Sequence, residues 1–219
     1  MSTLTKVEIG QVADFELDGA GTNPAWDRAV WQPLARVGQG LSRYATRAKI
    51  LYSTTGIYFL TDAEDQKLTC TLMEDFADLF REDVIEVFLW TDVRHPLYFE
   101  YEISPLNYEL PILVPNDAGS FCGWRPWHYT GSRRTRHASQ VRGGPKQSQA
   151  TVTGWTAEFF IPFDLLIGVG RSRPRRGDHW RANIYRIDYD VGVPSQWAWC
   201  PATAGNFHDH QNFGTILFR

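Results

Sequence analysis

Three glutamates within two apolar runs are the residues best placed to carry out chemistry. Glu100 and Glu102 lie two residues apart in the run LYFEYEI. On a strand both side chains leave the same face, roughly 7 Å apart, and carboxyl groups at about that separation can act as the acid and base of a glycosidase. Glu86 lies within the run VIEVFLW and needs a partner, a ligand or solvent. For all three, a solvated outer face of a sheet is the alternative that requires no chemistry.

Other residue patterns give less support for catalysis or metal binding. The run His208-Asp209-His210 could bind a metal from a strand, but no third ligand is indicated nearby. Cys70, Cys122 and Cys200 form no C-x-x-C pair, so a zinc site is not indicated, and one disulfide or three free thiols both remain open. The chain has no G-x-S-x-G, G-x-G-x-x-G or Walker motif. A hydrolase triad and a nucleotide site therefore have no support.

Aromatic side chains next to turns indicate a different chemistry. Phe80, Trp124, Trp127 and Phe207 all fall beside turn residues and not within strand-like runs. Flat rings can stack on the C–H faces of sugars, while carboxylates and amides hydrogen-bond the hydroxyls, as in other small-molecule sites. Core packing explains each ring taken alone, but four of them beside loop carboxylates favour a binding site.

The composition limits the partners that the chain is expected to have. Of its 219 residues, 14% are aromatic and 21% are charged, and the formal net charge is −3. This globular, near-neutral composition gives no reason to expect a nucleic acid or an anionic membrane as partner. Nine of the eighteen arginines fall within residues 133–142 and 171–181, where solvated loops are a simpler explanation than a nucleic-acid surface. No apolar run approaches the ~20 residues of a membrane span, and residues 1–10 lack the apolar region of a signal peptide, which leaves the compartment open.

The hydrophobic pattern predicts an all-β fold. Short strand-like runs with frequent turns indicate an antiparallel β-sandwich of the jelly-roll or immunoglobulin-like type, with a few short helical turns, in a single domain over residues 1–219. Strands are predicted at residues 45–51, 57–61, 84–90, 97–103, 151–161, 180–187, 196–199 and 214–218. Helical turns are predicted at residues 24–30, 76–81 and 163–167. The Pro- and Asn-rich residues 105–119 and the Arg-rich residues 132–149 are predicted to be a connection and a mobile hairpin end, respectively.

Eight segments, taken in order, are similar to a known family. They are DGAGTNPAWDRA, TRAKILY, GIYFLTDAED, EDVIEVFL, YFEYEISPLN, GWTAEFFIPF, WRANIYRID and WAWCPATAGNFHDHQNFGTILF. Their order and spacing, over nearly the whole chain, resembles the family 9 carbohydrate-binding modules and their stand-alone relatives. The resemblance implies a β-sandwich, calcium ions in structural roles and a sugar held between two aromatic side chains.

The resemblance also implies roles for individual residues. In the family, one clamping aromatic lies three residues before the Asp of a D-x-x-E pattern, which here is Phe80 before Asp83 and Glu86. The other lies seven residues before the Gly that opens the last strand, which here is Phe207 before Gly214. Glu86 is then the residue that holds sugar hydroxyls. The sugar-clamping members carry Trp at both aromatic positions, so Phe predicts weaker stacking, a different ligand or a changed role.

The predicted site combines the resemblance with the strand pattern. An insertion at residues 121–150 has no counterpart in the compact family members, and its Trp124 and Trp127 could form a new wall. Glu102 is expected near Glu86, because consecutive antiparallel strands are often neighbours. We therefore predict ligand contacts from Phe80, Asp83, Glu86, Glu102, Trp124, Trp127, Phe207 and His208. Asp65, at the end of the acidic stretch DAED, is predicted to bind calcium, which prefers oxygen ligands.

Three functions are compatible with the sequence. Non-catalytic carbohydrate binding, connected with polysaccharide catabolism, is favoured. The first alternative is a glycoside hydrolase that uses Glu86, Glu100 or Glu102. The second is a cofactor- or protein-interaction sandwich, since sandwich relatives of this type include haem carriers, although Met73 is the only internal Met for an axial ligand. The expected partner is a carbohydrate, with no nucleic acid and no membrane, and the oligomeric state is left open.

Overall fold

The predicted all-β sandwich is confirmed by the computed structural model, which describes residues 5–38, 43–117, 120–202 and 205–219. Within these ranges the helices are short 3-10 turns at Pro24–Arg28, Leu79–Arg81, Gly131–Arg133 and His210–Asn212. The helical turns predicted at residues 24–30 and 76–81 are thus present in shortened form. Residues 163–167 instead form consecutive hydrogen-bonded turns, so the prediction of a helix there is wrong.

Two sheets contain all of the described strands. In chain order the strands are β1 (Lys6–Ile9), β2 (Gln32–Pro33), β3 (Ala35–Val37), β4 (Thr46–Tyr52), β5 (Gly56–Glu64), β6 (Val84–Trp90), β7 (Leu97–Ile103), β8 (Glu109–Asp117), β9 (Ser120–Phe121), β10 (Arg125–Pro126), β11 (Arg136–Arg142), β12 (Gly154–Pro162), β13 (His179–Asp188), β14 (Ser195–Ala198) and β15 (Gly214–Phe218). The large sheet has the order β1-β15-β13-β6-β7-β8-β10, with β14 paired to β13 and β3, and β9 paired to β8. The small sheet has the order β11-β12-β5-β4-β2. The pairs are antiparallel except for β1 with β15.

The space between the sheets is filled by apolar side chains from both of them. On β7, Phe99, Tyr101 and Ile103 belong to this main core. Tyr101 stacks on Phe159 of β12 with ring centroids 4.8 Å apart, and Phe159 stacks on Phe59 of β5 at 5.2 Å. Because side chains alternate along a strand, the remaining side chains of β7, its glutamates included, leave the outer face of the large sheet.

The outer face of the large sheet is covered by chain segments and is not solvated. A second apolar cluster lies there, formed by Val84, Phe88, Tyr98, Leu110, Ile112, Tyr185, Phe207 and Phe213 together with Leu79. Glu100 and Glu102 lie on this face and are only 4% and 0% exposed. The alternative of a solvated outer face is therefore wrong for these glutamates, because residues near Phe80 and Phe207 cover the strands that carry them.

Strand β8 lies where the sequence predicts a connection. Residues 109–117 form this strand, so the prediction for residues 105–119 is wrong over most of its length, and residues 118–119 lie outside the described part of the chain. The carbonyls of Pro111 and Pro115 accept hydrogen bonds from the N–H groups of Trp127, at 2.8 Å, and Cys122, at 3.1 Å. The backbone nitrogens of these prolines face the same side as their carbonyls, towards β9 and β10. The lack of a proline N–H therefore removes no hydrogen bond between β8 and β7.

Strand β11 lies within the polar segment that is predicted to be a mobile hairpin end. It forms the edge of the small sheet and pairs with β12 over its whole length, which corrects that prediction. Polar and charged side chains are typical of edge strands, because they prevent pairing with another chain. The strand is further held by the Ser139 hydroxyl, which donates to the Pro105 carbonyl at 2.8 Å, and by Lys146, which donates to the Ser139 carbonyl at 2.9 Å.

The segment DGAGTNPAWDRA is attached to the small sheet by one buried carboxylate. Glu158 of β12 accepts hydrogen bonds from the indole N–H of Trp26, at 2.6 Å, and from the backbone N–H of Asp18, at 2.8 Å, and of Gly19, at 2.5 Å. Gly19 has φ +77°, and a Cβ there would lie 2.8 Å from the Ser139 backbone nitrogen, so only glycine fits. These contacts explain why the segment is so rich in turn residues.

The three cysteines are free thiols, which decides between the two alternatives left open by the sequence. Cys70 and Cys200 are buried and Cys122 is exposed. Burial raises the pKa of the Cys200 thiol to about 12, so this group stays protonated at neutral pH. In the described residues, no helix is long and apolar enough to cross a membrane.

Candidate functional site

A cavity of about 330 Å³ opens on the outer face of the large sheet. The sheet contributes the side chains of Glu86, Glu100, Glu102, Ile112, Ile187 and Gln196. The short strand β9 and the connecting segments contribute Phe80, Phe121, Trp124, Gly205, Phe207 and His208. The cavity therefore combines a polar floor from the strands with walls that are mostly aromatic.

The floor is formed by three glutamates on two adjacent strands. Glu86 of β6 lies directly opposite Glu102 of β7. Glu100 lies opposite Phe88, two residues further along the same pair of strands. All three side chains leave the outer face of the sheet because they occupy alternate positions on their strands. We refer to Glu86, Glu100 and Glu102 as the glutamate floor.

Burial of the glutamate floor changes the protonation of its members. Burial raises the pKa of Glu86 to about 8. It also raises the pKa of Glu100 and of Glu102 well above the usual range, and the nearby Glu86 charge raises both further. Carboxyl groups this close titrate as a group, so the floor retains protons at neutral pH. Burial lowers the pKa of His208 to about 4, so this neighbour is neutral and does not balance the acids.

Three oxygens of the glutamate floor have no partner of full hydrogen-bond geometry among the described residues, although Glu100 and Glu102 lie close to each other and the Phe80 backbone lies close to Glu102. These are Glu100 Oε2 and both carboxyl oxygens of Glu102, all of them buried. His208 Nδ1 is 4.0 Å from Glu100 Oε2, beyond hydrogen-bond distance, and lies 2.7 Å from the Tyr98 hydroxyl instead. Buried polar atoms in proteins are normally satisfied, so atoms left without a partner at a cavity indicate a site for ligand or water.

Aromatic rings form much of the cavity wall. Phe207 stacks on Tyr185 with ring centroids 4.1 Å apart and planes 9° apart, and the Tyr185 hydroxyl donates to the Phe207 carbonyl at 2.9 Å. Phe80 is half-buried, with the Arg81 guanidinium 5.3 Å from its ring centroid. Phe121 stacks on the His208 ring at 4.2 Å. The rings are thus held in place by packing before any ligand is bound.

Six of the eight predicted contact residues come together in this cavity, namely Phe80, Glu86, Glu102, Trp124, Phe207 and His208. Asp83 does not line it, because its carboxylate accepts the backbone N–H groups of Thr69, at 2.6 Å, and Tyr189, at 2.8 Å. Trp127 lies at a separate cavity of about 320 Å³, and its indole N–H donates to the Leu165 carbonyl at 2.9 Å. The placement of the six supports the predicted site, and their role in binding remains a prediction.

Six cavity residues were absent from the predicted set of ligand contacts, namely Glu100, Ile112, Phe121, Ile187, Gln196 and Gly205. Glu100 shares its strand face with Glu102, so the alternation of β7 was a signal for its presence. Phe121 falls at the start of the insertion that contains Trp124, two positions after a turn glycine, which is a weaker signal. Gln196 lies on the short strand β14 and lines the cavity only because β14 pairs with β13, a contact that no local pattern indicates.

A second group of acids lies at the start of β6. Asp65, Asp83 and Asp190 each bring a carboxylate oxygen to within 4.8 Å of the others, and we call these residues the aspartate cluster. The fully buried Arg186 contacts Asp65 at 3.2 Å and Asp188 at 2.8 Å. Burial raises the pKa of Asp65 to about 7, although the Arg186 charge lowers it in part. The predicted metal ligand Asp65 is therefore near two further acids in a site of oxygen donors.

The two histidines suggested as metal ligands do not form a metal site within the described residues. His208 packs against Phe121 and Phe88, and the His210 ring lies 4.7 Å from that of Trp90. The group of potential ligands found in this part of the chain is the aspartate cluster. The histidines instead help to fix the segment that covers the sheet.

Comparisons with known proteins agree with this structure. The model of the carbohydrate family 9 binding domain-like family matches residues 17–219. No curated protein matches the sequence. A crystal structure from Bacteroides uniformis, described as a candidate carbohydrate-binding protein, is 15% identical, with a TM-score of 0.79 over 99% of this chain and 100% of that one.

Two further structures are of one family 9 carbohydrate-binding module from Caldicellulosiruptor kristjanssonii. The complex with cellotriose is 12% identical, with a TM-score of 0.68 over 98% of this chain and 94% of that one. The complex with glucose is also 12% identical, with a TM-score of 0.66 over 98% and 96%. At such identities the structures show a shared fold. The family match confirms the resemblance seen in the sequence and, at the level of the family, the prediction of carbohydrate binding, so that the chain belongs to the carbohydrate family 9 binding domain-like family.

Proposed function

We propose that this domain is a non-catalytic module that binds a sugar in the cavity above the glutamate floor. The observation that carries the proposal is a floor of three buried carboxyl groups, with unpartnered oxygens, beneath aromatic rings. Sugar hydroxyls can donate to these oxygens, while the C–H faces of the sugar stack on rings such as Phe207. Protonated members of the floor can in addition donate to a sugar oxygen.

The size of the cavity and the ligands of solved relatives support the proposal. At about 330 Å³ the cavity lies at the small end of the range of ~300–1,000 Å³ that is usual for small-molecule sites. It therefore suits a glycan end and not a long stretch of polysaccharide. Structures of similar fold hold glucose and cellotriose. Binding of a glycan end also supports a role in polysaccharide catabolism, in which a module of this kind would keep a polysaccharide-degrading enzyme close to the polysaccharide.

The arrangement of the glutamate floor favours binding over hydrolysis. A glycosidase needs two carboxyl groups that flank the scissile bond, one of them protonated and the other ionised. Here Glu86, Glu100 and Glu102 all project from one sheet face, so they lie on one side of a bound sugar. Their pKa values are all raised, mainly by burial, and do not separate one acid from one base.

We also propose that the aspartate cluster binds a structural calcium ion. Calcium takes oxygen ligands, and Asp65, Asp83 and Asp190 offer three carboxylates. One oxygen of Asp190 is buried without a hydrogen-bond donor, as is the Thr69 hydroxyl, and both could contribute. Arg186 pairs with two acids, Asp65 and Asp188, and leaves Asp83 and Asp190 of the cluster without an ion pair to it. A divalent cation would balance this negative charge.

The test of sugar binding is calorimetric titration of the domain with glucose and cellotriose. We expect the domain to bind at least one of these sugars. Glu86→Gln should weaken this binding at least several-fold and leave thermal unfolding unchanged. A matched control is Glu16→Gln, because Glu16 is exposed and lies far from the glutamate floor in an N-terminal segment on the small sheet. Titrations without heat change for a panel of neutral and charged sugars would overturn the proposal.

A further inference from the structure

The cavity above the glutamate floor is lined by acids and by no basic side chain. Three of its described lining residues are acids, none is Lys or Arg, and His208 is neutral. The residues outside the described ranges include no Lys and no Arg either. Three arginines are chain neighbours of lining residues, and none of them lines the cavity. Arg81 is paired with Asp78 at 2.9 Å and lies against the Phe80 ring, Arg186 is paired with Asp65 and Asp188, and Arg125 is exposed. The free floor is neutralised by its own protons, so a cation that replaces some of them has to come with the ligand.

We infer that this cavity selects a sugar that carries a protonated amine, such as a 2-amino-2-deoxy sugar, over its neutral counterpart. The inference rests on the proposed function, since it specifies the class of sugar bound at the same site. A neutral hydroxyl can hydrogen-bond a buried carboxylate but leaves its charge uncompensated. An ammonium group supplies both N–H donors and charge, and such charge-assisted bonds are roughly twice as strong as neutral ones.

A metal ion fits the glutamate floor less well than an organic cation does. In the described residues, the aspartate cluster is the group whose ligand oxygens gather within 4.8 Å of one another, and the glutamate floor does not. Calcium would need six to eight oxygens at about 2.3–2.6 Å. A sugar ring is wide enough to place an amine at one glutamate and hydroxyls at the others.

The aromatic wall supports the same ligand class. The rings of Phe80, Phe121, Trp124 and Phe207 border the cavity that holds the acids. A cation near the face of an aromatic ring is attracted by the negative charge of that face, and the attraction is stronger when the cation is removed from water. Aromatic rings combined with carboxylates are the surroundings that proteins use to bind amines. A neutral sugar would gain only the stacking contribution.

The protonation of the floor gives the inference an independent measurable consequence. The other titratable groups near the floor are Tyr98 of β7, Tyr185 of β13, Tyr189 just after β13 and His208 of the covering segment. Burial raises the pKa of all three tyrosines, so they stay neutral. The glutamates hold protons at neutral pH, and an ammonium ligand would displace some of them. Binding of an amino sugar should therefore release protons, whereas binding of a neutral sugar should not.

The experiment is calorimetric titration at pH 7 with glucosamine, glucose, N-acetylglucosamine and cyclohexylamine. Glucosamine is expected to bind about tenfold more tightly than glucose, which corresponds to one charge-assisted contact. N-acetylglucosamine should lose this advantage because its nitrogen is uncharged. The heat for glucosamine should differ between buffers of different ionisation enthalpy, which reports the released protons.

Variants separate this inference from the proposed function. Glu102→Gln should bring glucosamine and glucose to within about threefold of each other, with thermal unfolding confirming the fold. Equal or tighter binding of glucose in the unchanged protein would overturn the amine inference and leave sugar binding intact. Cyclohexylamine binding as tight as that of glucosamine would show that the sugar contributes nothing and would overturn both. Absence of binding by all four compounds would do the same.

Discussion

The glutamate floor and the aspartate cluster are both largely buried groups of acids, yet their partners differ. In the aspartate cluster, Asp83 accepts two backbone N–H groups and Asp65 contacts the buried Arg186. In the glutamate floor, both oxygens of Glu102 have no donor in the described structure, and no cation lines the cavity. The first group has partners within the protein for Asp65 and Asp83, whereas the second opens on a cavity large enough for an organic ligand. The burial of an acid alone does not distinguish a structural role from a ligand site, whereas the hydrogen-bond and ion-pair partners of the acid do.

The largest expected effect is at the aspartate cluster. Arg186→Met removes the buried cation and leaves Asp65 and Asp188 without it, which should lower the free energy of unfolding by about 3–5 kcal/mol. Urea unfolding measures the loss. Arg173→Met is the control, because Arg173 pairs with Asp164 on the surface and its loss should change stability by less than about 0.5 kcal/mol. Equal effects of the two substitutions would contradict the structural role of the cluster.

The next effect concerns calcium. If the aspartate cluster binds the ion, calcium at a hundred times its Kd should stabilise the domain by about 2.7 kcal/mol, and a chelator should remove that gain. Thermal unfolding at several calcium concentrations provides the measurement. Asp65→Asn should abolish the response, whereas Asp164→Asn, at an exposed ion pair, should keep it. A melting temperature that ignores both chelator and calcium in the unchanged protein would rule the ion out.

A smaller effect is expected at the aromatic wall. Phe207→Ala should weaken sugar binding by about 1 kcal/mol, because one stacking surface is lost. Phe15→Ala is a matched control, since Phe15 also stacks on a tyrosine, with centroids 4.3 Å apart against 4.1 Å for Phe207, but lies in another cluster. Calorimetric affinities are compared after confirming the fold by circular dichroism. An equal loss of affinity in both variants would remove Phe207 from the site.

A further effect is the pH dependence of stability. Folded Glu86 has a pKa raised to about 8 by burial, above its ordinary 4.5, so the folded state holds protons that the unfolded chain has lost. Stability is then fully present below pH 4.5 and declines as the pH rises through 8. His208 affects stability in the opposite direction, because burial lowers its pKa from the ordinary 6.5 to about 4. It destabilises the folded state only as the pH falls below 6.5.

Thermal unfolding between pH 6.5 and 8 tests this expectation. The melting temperature should fall with rising pH, by about 2–4 °C for each kcal/mol lost. Glu102→Gln should reduce the slope and raise stability slightly at pH 8, because one repelling carboxyl is gone. This sign is opposite to that of Arg186→Met. A steeper slope in Glu102→Gln would contradict the account of the glutamate floor.

The sequence identified much of the site because its signals there are local. Alternation along β7 placed Glu102 with Glu100, and spacing from the D-x-x-E pattern identified Phe80 and Glu86. Prediction failed where the structure depends on contacts distant in sequence. The covering segments near Phe207 lack the alternation of polar and apolar residues that indicates a strand. The burial of the outer face of the large sheet therefore could not be predicted from the sequence.

The strand errors have similar causes. The prolines of β8 indicate a loop when taken locally, and only the pairing partners on each side show that their missing N–H groups are harmless. The polar β11 is defined by its partner β12 and not by its own pattern. Asp83 was assigned through the D-x-x-E pattern and Trp127 through its place in the insertion. The carboxylate of Asp83 instead accepts backbone N–H groups, and the path of the insertion takes Trp127 to a separate cavity.

The most direct test of the central claim is a methyl NMR titration of the domain with glucose and glucosamine. Ile112 and Ile187 line the cavity, whereas Ile57 and Ile216 lie in the core between the sheets. The account predicts saturable shifts of the Ile112 and Ile187 methyl signals, while those of Ile57 and Ile216 stay in place. Unchanged Ile112 and Ile187 signals at saturating sugar, or shifts confined to other isoleucines, would show that the ligand does not bind above the glutamate floor.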